Sequence, residues 1–172
     1  MTESQDLKIP KINFPKEIFS LYLSHPFASR KYIRDWELEF EERHPKIALL
    51  NPFYDVEGEG REDVRARDEG KDFPRDKGYN WRLVQRDKIA IEYSRGILGI
   101  VDENADKSVG TLMEFVYGRC AACNPKLCIC TNPDLANHPW VQTHFHEVYD
   151  SFSAFEENIE SQVEKVRKKW GF

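Results

Sequence analysis

The chain has 172 residues, 40% of them apolar, and a formal net charge of -5 from 25 basic and 30 acidic side chains. That length supports one hydrophobic core, so a single domain is expected. The acidic balance leaves no basic stripe for a nucleic-acid polymer, and no apolar run is long enough to span a membrane. A small anion bound at one place is compatible with that balance. The polar N-terminus has no apolar signal core, which predicts a cytoplasmic protein.

Residues 1–16 hold two prolines and little periodicity, and they read as an N-terminal arm before an α/β domain over 17–172. Ile18, Phe19, Leu21 and Leu23 predict the first strand. It runs into Ser24-His25-Pro26-Phe27-Ala28-Ser29-Arg30, a polar turn with no glycine-rich phosphate fingerprint. Ile33, Trp36 and Phe40 fall at helical spacing, so a helix over 29–43 should turn them toward the sheet. His44-Pro45 ends it. Residues 47–50 predict a second strand. The loop Asn51-Pro52-Phe53-Tyr54-Asp55 after it suits a flat ring, or is an ordinary turn with a buried phenylalanine. Residues 56–78 are rich in glycine and charge and cannot bury an apolar face of their own. They read as an insertion or flap beside the second strand end, in part helical.

Helical periodicity returns over 79–94, with Trp81, Val84 and Ile91 on one face and Gly96 as the capping glycine. Asp87 on this helix either points into a cleft or faces solvent. The apolar run from Gly96 to Val101 reads as a buried central strand, and Asp102 opens the loop after it. Ser108 can cap the next helix, Gly110 permits a close backbone approach, and Glu114 is the one formal charge between Ser108 and Gly118. A carboxylate in the second turn of a helix beyond a strand end lies where open α/β sheets keep their ligands.

Cys120, Cys123, Cys128 and Cys130 follow in a turn closed by Asn124-Pro125. In a reducing compartment they are no disulfide framework. They read as buried free thiols, with a metal site as the alternative, because the spacing lacks a longer gap between thiolate pairs. Residues 126–131 predict a strand with Cys128 and Cys130 on one face and Leu127 and Ile129 on the other. Residues 132–137 read as a loop, 148–149 as a short last strand, and 152–170 as an amphipathic helix through Phe155, Ile159, Val163, Val166 and Trp170. The basic end of that helix suits the helix dipole rather than a nucleic acid.

This alternation predicts a flavodoxin-like three-layer α/β domain with a parallel sheet of about five strands covered on both faces. Right-handed crossovers would bring Tyr22, Asn51, Asp102 and the start of the Glu114 helix to the carboxyl edge.

Three stretches carry a resemblance. The strand end Tyr22-Leu23-Ser24-His25-Pro26-Phe27, Asp87 before an isoleucine-rich helical segment, and Gly110-x-x-x-Glu114 together resemble the nucleoside 2-deoxyribosyltransferase family. That family includes related hydrolases that cleave the N-glycosidic bond of nucleoside 5'-monophosphates. The resemblance runs from about residue 19 to residue 149, with 56–78 the least matched. It implies Glu114 as nucleophile, Tyr22 beside it, and Asp87 as an acid on the base and sugar side. Ser108 falls where the base exchangers often carry an aspartate and where the monophosphate hydrolases place a phosphate-binding serine. Ser29 and Arg30 would add phosphate contacts, and Ser24, His25, Phe27, Asn51, Phe53, Asp102 and Gly110 would complete the substrate site. Arg95 departs from the family, which often has aspartate there.

The resemblance implies retaining transfer of 2-deoxyribose between bases through a glycosyl-enzyme on Glu114. The partners would be a nucleoside or nucleotide and a free nucleobase. No cofactor or metal is expected, because a carboxylate nucleophile and a proton donor suffice for the chemistry. It also implies a homodimer or larger assembly, with the segment of Trp140, His144 and His146 near a neighbour's pocket. Hydrolysis of (deoxy)nucleoside 5'-monophosphates and a non-catalytic nucleotide-binding module are the alternatives. A structural protein without an ordered cleft at Glu114 is a third.

Overall fold

Apolar side chains alternate along each inner strand and feed two separate cores, one on each side of a sheet. The computed structural model describes residues 14–54, 59–121 and 125–170. Strands β1 (Phe19–Ser24), β2 (Ile47–Leu50), β3 (Gly96–Val101), β4 (Lys126–Cys130) and β5 (Glu147–Tyr149) form one sheet in the order β2-β1-β3-β4-β5. Every pairing is parallel. Phe19, Leu21 and Leu23 of β1, with Leu98, Ile100, Leu127 and Ile129, face α1 (Arg30–Arg43) and α7 (Phe152–Trp170). Ile33 and Phe40 of α1 and Phe155, Ile159 and Val163 of α7 meet them there. Tyr22, Ile97, Val101, Cys128 and Cys130 take the opposite face, under α3 (Lys77–Tyr93), α4 (Val109–Cys120) and α6 (Pro139–His144).

The split of β4 into a thiol face and an aliphatic face therefore holds, and burial pushes the thiols of Cys128 and Cys130 up. Cys120 is exposed, and Cys123 lies outside the described residues, as do Asp55 and Asn124. Among the described residues no three His, Cys, Asp or Glu gather as a metal site, and no helix is long and apolar enough to cross a membrane.

Several local expectations are corrected. Trp81 and Val84 do not share a buried face with Ile91; they are 64% and 54% exposed. Only the last turns of α3 lie on the sheet, through Ala90 and Ile91 against Tyr22, Leu50 and Ile97. Its first half leans instead on the insertion, with Tyr79 5.0 Å from Phe73. Gly96 is not a cap. The helix closes at Ser94, and Gly96 sits within β3, where a methyl group would come 2.6 Å from the Pro125 carbonyl oxygen. Helix α4 continues past Gly118 to Cys120. Residues 132–137 are not all loop: Asn132 caps the short helix α5 (Pro133–Ala136) by accepting from the Asp134 amide at 3.0 Å. Proline suits the first helical position there because that N–H has no intrahelical partner.

The largest correction concerns the charged insertion. It does bury a face: α2 (Glu62–Asp68) hides Val64 and Asp63, and Arg61 before it is 8% exposed. An ion pair between Arg61 and Asp63, with Nε–Oδ1 at 3.0 Å, replaces the missing apolar periodicity.

Candidate active site

The sheet reverses its winding between β1 and β3, and the ends of these two strands frame the cleft. β1 ends in Tyr22 and Ser24. β3 leads through a single 3-10 turn (Ala105–Lys107) into α4, whose second turn carries Glu114 back over the β1 end. The Tyr22 hydroxyl donates to Oε1 of Glu114 at 3.0 Å, and the Ser24 hydroxyl donates to Oε2 at 2.5 Å. Each carboxylate oxygen thus has its own donor, which fixes the plane of the group.

Burial pushes the Glu114 carboxyl well above the usual carboxylate range, and the Asp87 charge adds to this. The hydrogen bonds from Ser24 and Tyr22 and the charge of Arg61 act in the other direction. Asp87 is also raised, chiefly by burial, against the pull of Arg86 and Arg61. Arg86 reaches Asp87 Oδ1 at 3.1 Å. Burial and the charges of Asp87 and Glu114 keep the Tyr22 phenol protonated, hence a donor. Burial and mutual repulsion disfavour ionising both carboxyls at once, so the Glu114–Asp87 pair holds one proton between them over part of the pH range.

Tyr22→Phe and Ser24→Ala each remove a donor that lowers the Glu114 pKa. The acid limb of the rate–pH profile should then move to higher pH, and turnover should fall about 10- to 100-fold as the carboxylate loses its fixed orientation. Profiles of kcat against pH for both variants check this; an unmoved limb would mean that neither hydroxyl serves Glu114.

The remaining predicted residues divide into a rim and an inner scaffold. His25, Ser29, Asn51 and Asp102 are all at most 4% exposed and hold the fold. Asn51 donates to Glu37 at 2.7 Å and accepts from the Phe53 amide at 3.0 Å, while its Oδ1 lies 3.2 Å from His25 Nε2. Burial lowers the His25 pKa to about 4, so the ring is neutral at neutral pH. Glu37, raised by burial to about 7, also receives Arg34 at 2.8 Å. Asp102 accepts from the Ser29 hydroxyl, from Tyr32 at 2.6 Å and from the Asn104 amide at 2.8 Å. Loop ends at a sheet edge carry backbone and side-chain polar groups that need partners, and these four residues supply them.

The rim is formed by Phe53, Phe27, Arg30, Ser108 and Gly110. Phe53 stands edge-on to His25 and Phe27, with centroids at 4.9 and 5.3 Å. Phe27 carries the guanidiniums of Arg30 at 4.0 Å and Arg67 at 4.3 Å from its ring centre. Arg30 is tied to Asp68 and to the Phe27 carbonyl. Ser108 occupies the N-cap position, but its hydroxyl pairs with Thr111 Oγ1 at 2.7 Å rather than with an amide. Nothing lies within 4 Å of the place a Gly110 side chain would take, so this turn of α4 borders open space. A cavity of about 410 Å³ opens beside it, lined by Phe27, Arg30, Arg67, Asn104, Lys107 and Ser108.

Sequence reasoning missed Arg61, Arg67 and Arg86, and it read Ser24 as a substrate contact only. The two insertion arginines are hidden in a run of mixed charge. Arg86 stands next to Asp87, and that adjacency was the available signal.

Strand order and layering define a flavodoxin-like α/β domain. Among solved structures, the chain resembles a 2-deoxyribosyltransferase from the psychrotolerant bacterium Bacillus psychrosaccharolyticus, described as a biocatalyst for synthesis of antiviral and antitumoral nucleosides. The two share 14% sequence identity over 80% of this chain and 90% of the other, with a TM-score of 0.58. That likeness is one of fold. No protein-family model matches the chain, and no curated protein matches its sequence.

Proposed function

We propose that the chain transfers 2-deoxyribose between nucleobases with retention, using Glu114 as nucleophile. The carrying observation is the Glu114 carboxylate held by the Tyr22 and Ser24 hydroxyls at the switch point of the sheet. In this reading the carboxylate attacks the anomeric carbon as the C–N bond to the base breaks. The transition state has oxocarbenium character, and the adjacent anion stabilises it. Asp87, with its raised pKa, hands a proton to the leaving base. A second base then attacks the anomeric carbon of the glycosyl-enzyme, gives its N–H proton back to Asp87, releases Glu114 and restores the original configuration. Phe53 offers a ring for the base, while the Phe27 ring is covered by Arg30 and Arg67. The likeness in fold to a 2-deoxyribosyltransferase supports this assignment.

A second reading rests on the cavity beside Ser108. Three cationic side chains, Arg30, Arg67 and Lys107, line it next to the start of α4. Cations and a helix N-terminus favour a phosphate, so hydrolysis of a nucleoside 5'-monophosphate fits this cavity better than a neutral sugar does. One incubation separates the two: a deoxynucleoside, its 5'-monophosphate and a second free base. The exchanged nucleoside supports transfer. Cleavage confined to the monophosphate, with deoxyribose 5-phosphate released, supports the hydrolase. Intact substrates throughout would reject both and leave a nucleotide-binding module.

The same proposal carries a homo-oligomer. Val109, Leu112, Met113 and Val116 turn outward from α4, and exposed Trp140 stacks on His144 nearby. An apolar strip of this kind on the nucleophile helix is expected to be covered by a second copy. Sedimentation velocity should show a dimer or larger species; a monomer at all working concentrations would end the idea.

A further inference from the structure

The insertion between β2 and α3 reaches the cleft loop Asn51-Pro52-Phe53 through Arg61. The Arg61 amide donates to the Phe53 carbonyl at 2.9 Å, and Tyr54 and Gly60 form an antiparallel bridge, so the chain lies back along the cleft loop. The Arg61 guanidinium then turns under that loop. Its Nη1 donates to the Pro52 carbonyl at 2.8 Å, and Nε and Nη2 grip the Asp63 carboxylate at 3.0 and 3.3 Å. Arg86 donates to the same Pro52 carbonyl at 2.8 Å from α3. Two buried arginines therefore converge on one peptide oxygen, with the Phe53 ring 5.4 Å from Arg61. Arg75 also reaches Asp63, which leaves that carboxylate shared between two cations.

Such an arrangement is costly unless it offsets something, because two like charges are brought together away from water. What it faces is a concentration of acid. Glu114 of α4 and Asp87 of α3 act on the cleft beside the Tyr22 phenol, and Asp63 lies on the insertion side. Arg61 and Arg75 pair with Asp63, and Arg86 pairs with Asp87.

We propose that Arg61 is a positioning residue of the active site: it clamps the Asn51-Pro52-Phe53 wall from beneath and, beside Arg86, adds positive charge on the acidic side of the cleft. The inference rests on the glycosidic reading of Glu114 given above. It makes the insertion a working part of the site rather than a flap over it. The direction of the Arg61 effect, which lowers the pKa of both acids, agrees with this role.

The test uses the full chain and two substitutions, Arg61→Met and Arg61→Lys. The side-chain carboxyl of Glu114 is titrated by carbon-detected NMR, a readout independent of turnover. In Arg61→Met its midpoint should move measurably to higher pH, and the acid limb of kcat should follow it. A folded Arg61→Met protein whose Glu114 midpoint stays in place would overturn the proposal. Arg61→Lys keeps the charge but cannot hold Pro52 and Asp63 with one planar fork. It should leave the Glu114 midpoint near its wild-type value while hydrogen exchange at Phe53 and Tyr54 quickens at least about tenfold. Unchanged exchange in that variant removes the clamp even if the methionine variant does not fold. Failure of the wild-type chain to cleave or exchange any nucleoside would reject the glycosidic reading alone, since neither NMR nor exchange depends on it.

Discussion

Glu114→Gln is expected to lose at least about 10⁴-fold in turnover and yet to melt at a higher temperature than the wild-type chain. On the proposed mechanism the loss follows from chemistry, because an amide cannot form the glycosyl-enzyme. The gain follows from proton linkage. Burial and the Asp87 charge raise the folded-state pKa of Glu114 above its unfolded value. The folded chain then holds the proton more tightly than the unfolded chain does. Stability from this group is present at low pH and is lost as pH rises from the unfolded pKa through the folded one. At neutral pH the wild type bears that penalty and the amide does not. A pKa that differs by one between folded and unfolded chain is worth about 1.4 kcal/mol, and each kcal/mol about 2–4 °C in a chain of this size. Thermal melts of both proteins at pH 5 and pH 8 check this. The gap should be widest at pH 8. Equal melting temperatures at both values would show that the carboxyl is not held in a buried, unfavourable place. In the wild type, kcat should trace a bell against pH, rising as the first of the Glu114–Asp87 pair ionises and falling as the second loses its proton, because the proposed reaction needs one of each.

The other large effect is expected at Gly99, at the centre of β3. A methyl group there would lie 2.6 Å from Cζ of Phe145 and 2.8 Å from Cε1 of Phe115. These two rings already meet edge to face at 5.0 Å and fill the core beneath α4. Neither is a free chain end that can swing away, so Gly99→Ala must push α4 or the segment after α6 outward. Overpacking of this kind costs about 1–3 kcal/mol, or roughly 2–12 °C in melting temperature at the conversion above. The functional cost should be larger than the stability cost. Phe115 is the neighbour of Glu114, and a displacement near 1 Å of a reacting group is enough for about a 100-fold loss of rate. Chemical denaturation together with kcat and KM should show a reduced midpoint, a reduced kcat and a KM less affected. Wild-type kcat at reduced stability would mean that α4 does not move as a unit with Phe115.

Much of the fold could be read from spacing. Phe19, Leu21 and Leu23 alternate as a strand between two cores must, and Phe155, Ile159 and Val163 recur as a helix on a sheet must. The lone acid in α4 also stood out, because an ionisable group in an apolar run needs a reason. Other features left no such trace. Arg61 and Asp63 are buried as a pair, and an ion pair in the interior looks like any surface charge in the sequence. Trp81 and Val84 follow helical spacing, yet the first half of α3 has no sheet beneath it. Residues 132–137 read as a loop, yet Pro133 sits in the first turn of α5 under an Asn132 cap, as Pro139 does in α6 under His138. For His25, Ser29, Asn51 and Asp102, position at the carboxyl edge was legible and direction was not. Whether a polar side chain at a strand end turns to a ligand or to its neighbours depends on partners far away in the chain.

That distance has a kinetic consequence. Leu21 of β1 is paired with Gly96 of β3, and the hydroxyl of Tyr22 reaches an acid 92 positions later. All strand pairings in this sheet are parallel, so none can form by a local hairpin. Closing such loops must precede most of the contacts that reward them, which places folding on the order of milliseconds or slower. During synthesis β1 emerges long before β3, its central neighbour, has been made. Until Val101, the last residue of β3, has left the ribosome, the apolar Phe19, Leu21 and Leu23 have one side of their sheet missing. The nascent chain in this interval is the form most exposed to aggregation and most in need of a holding chaperone.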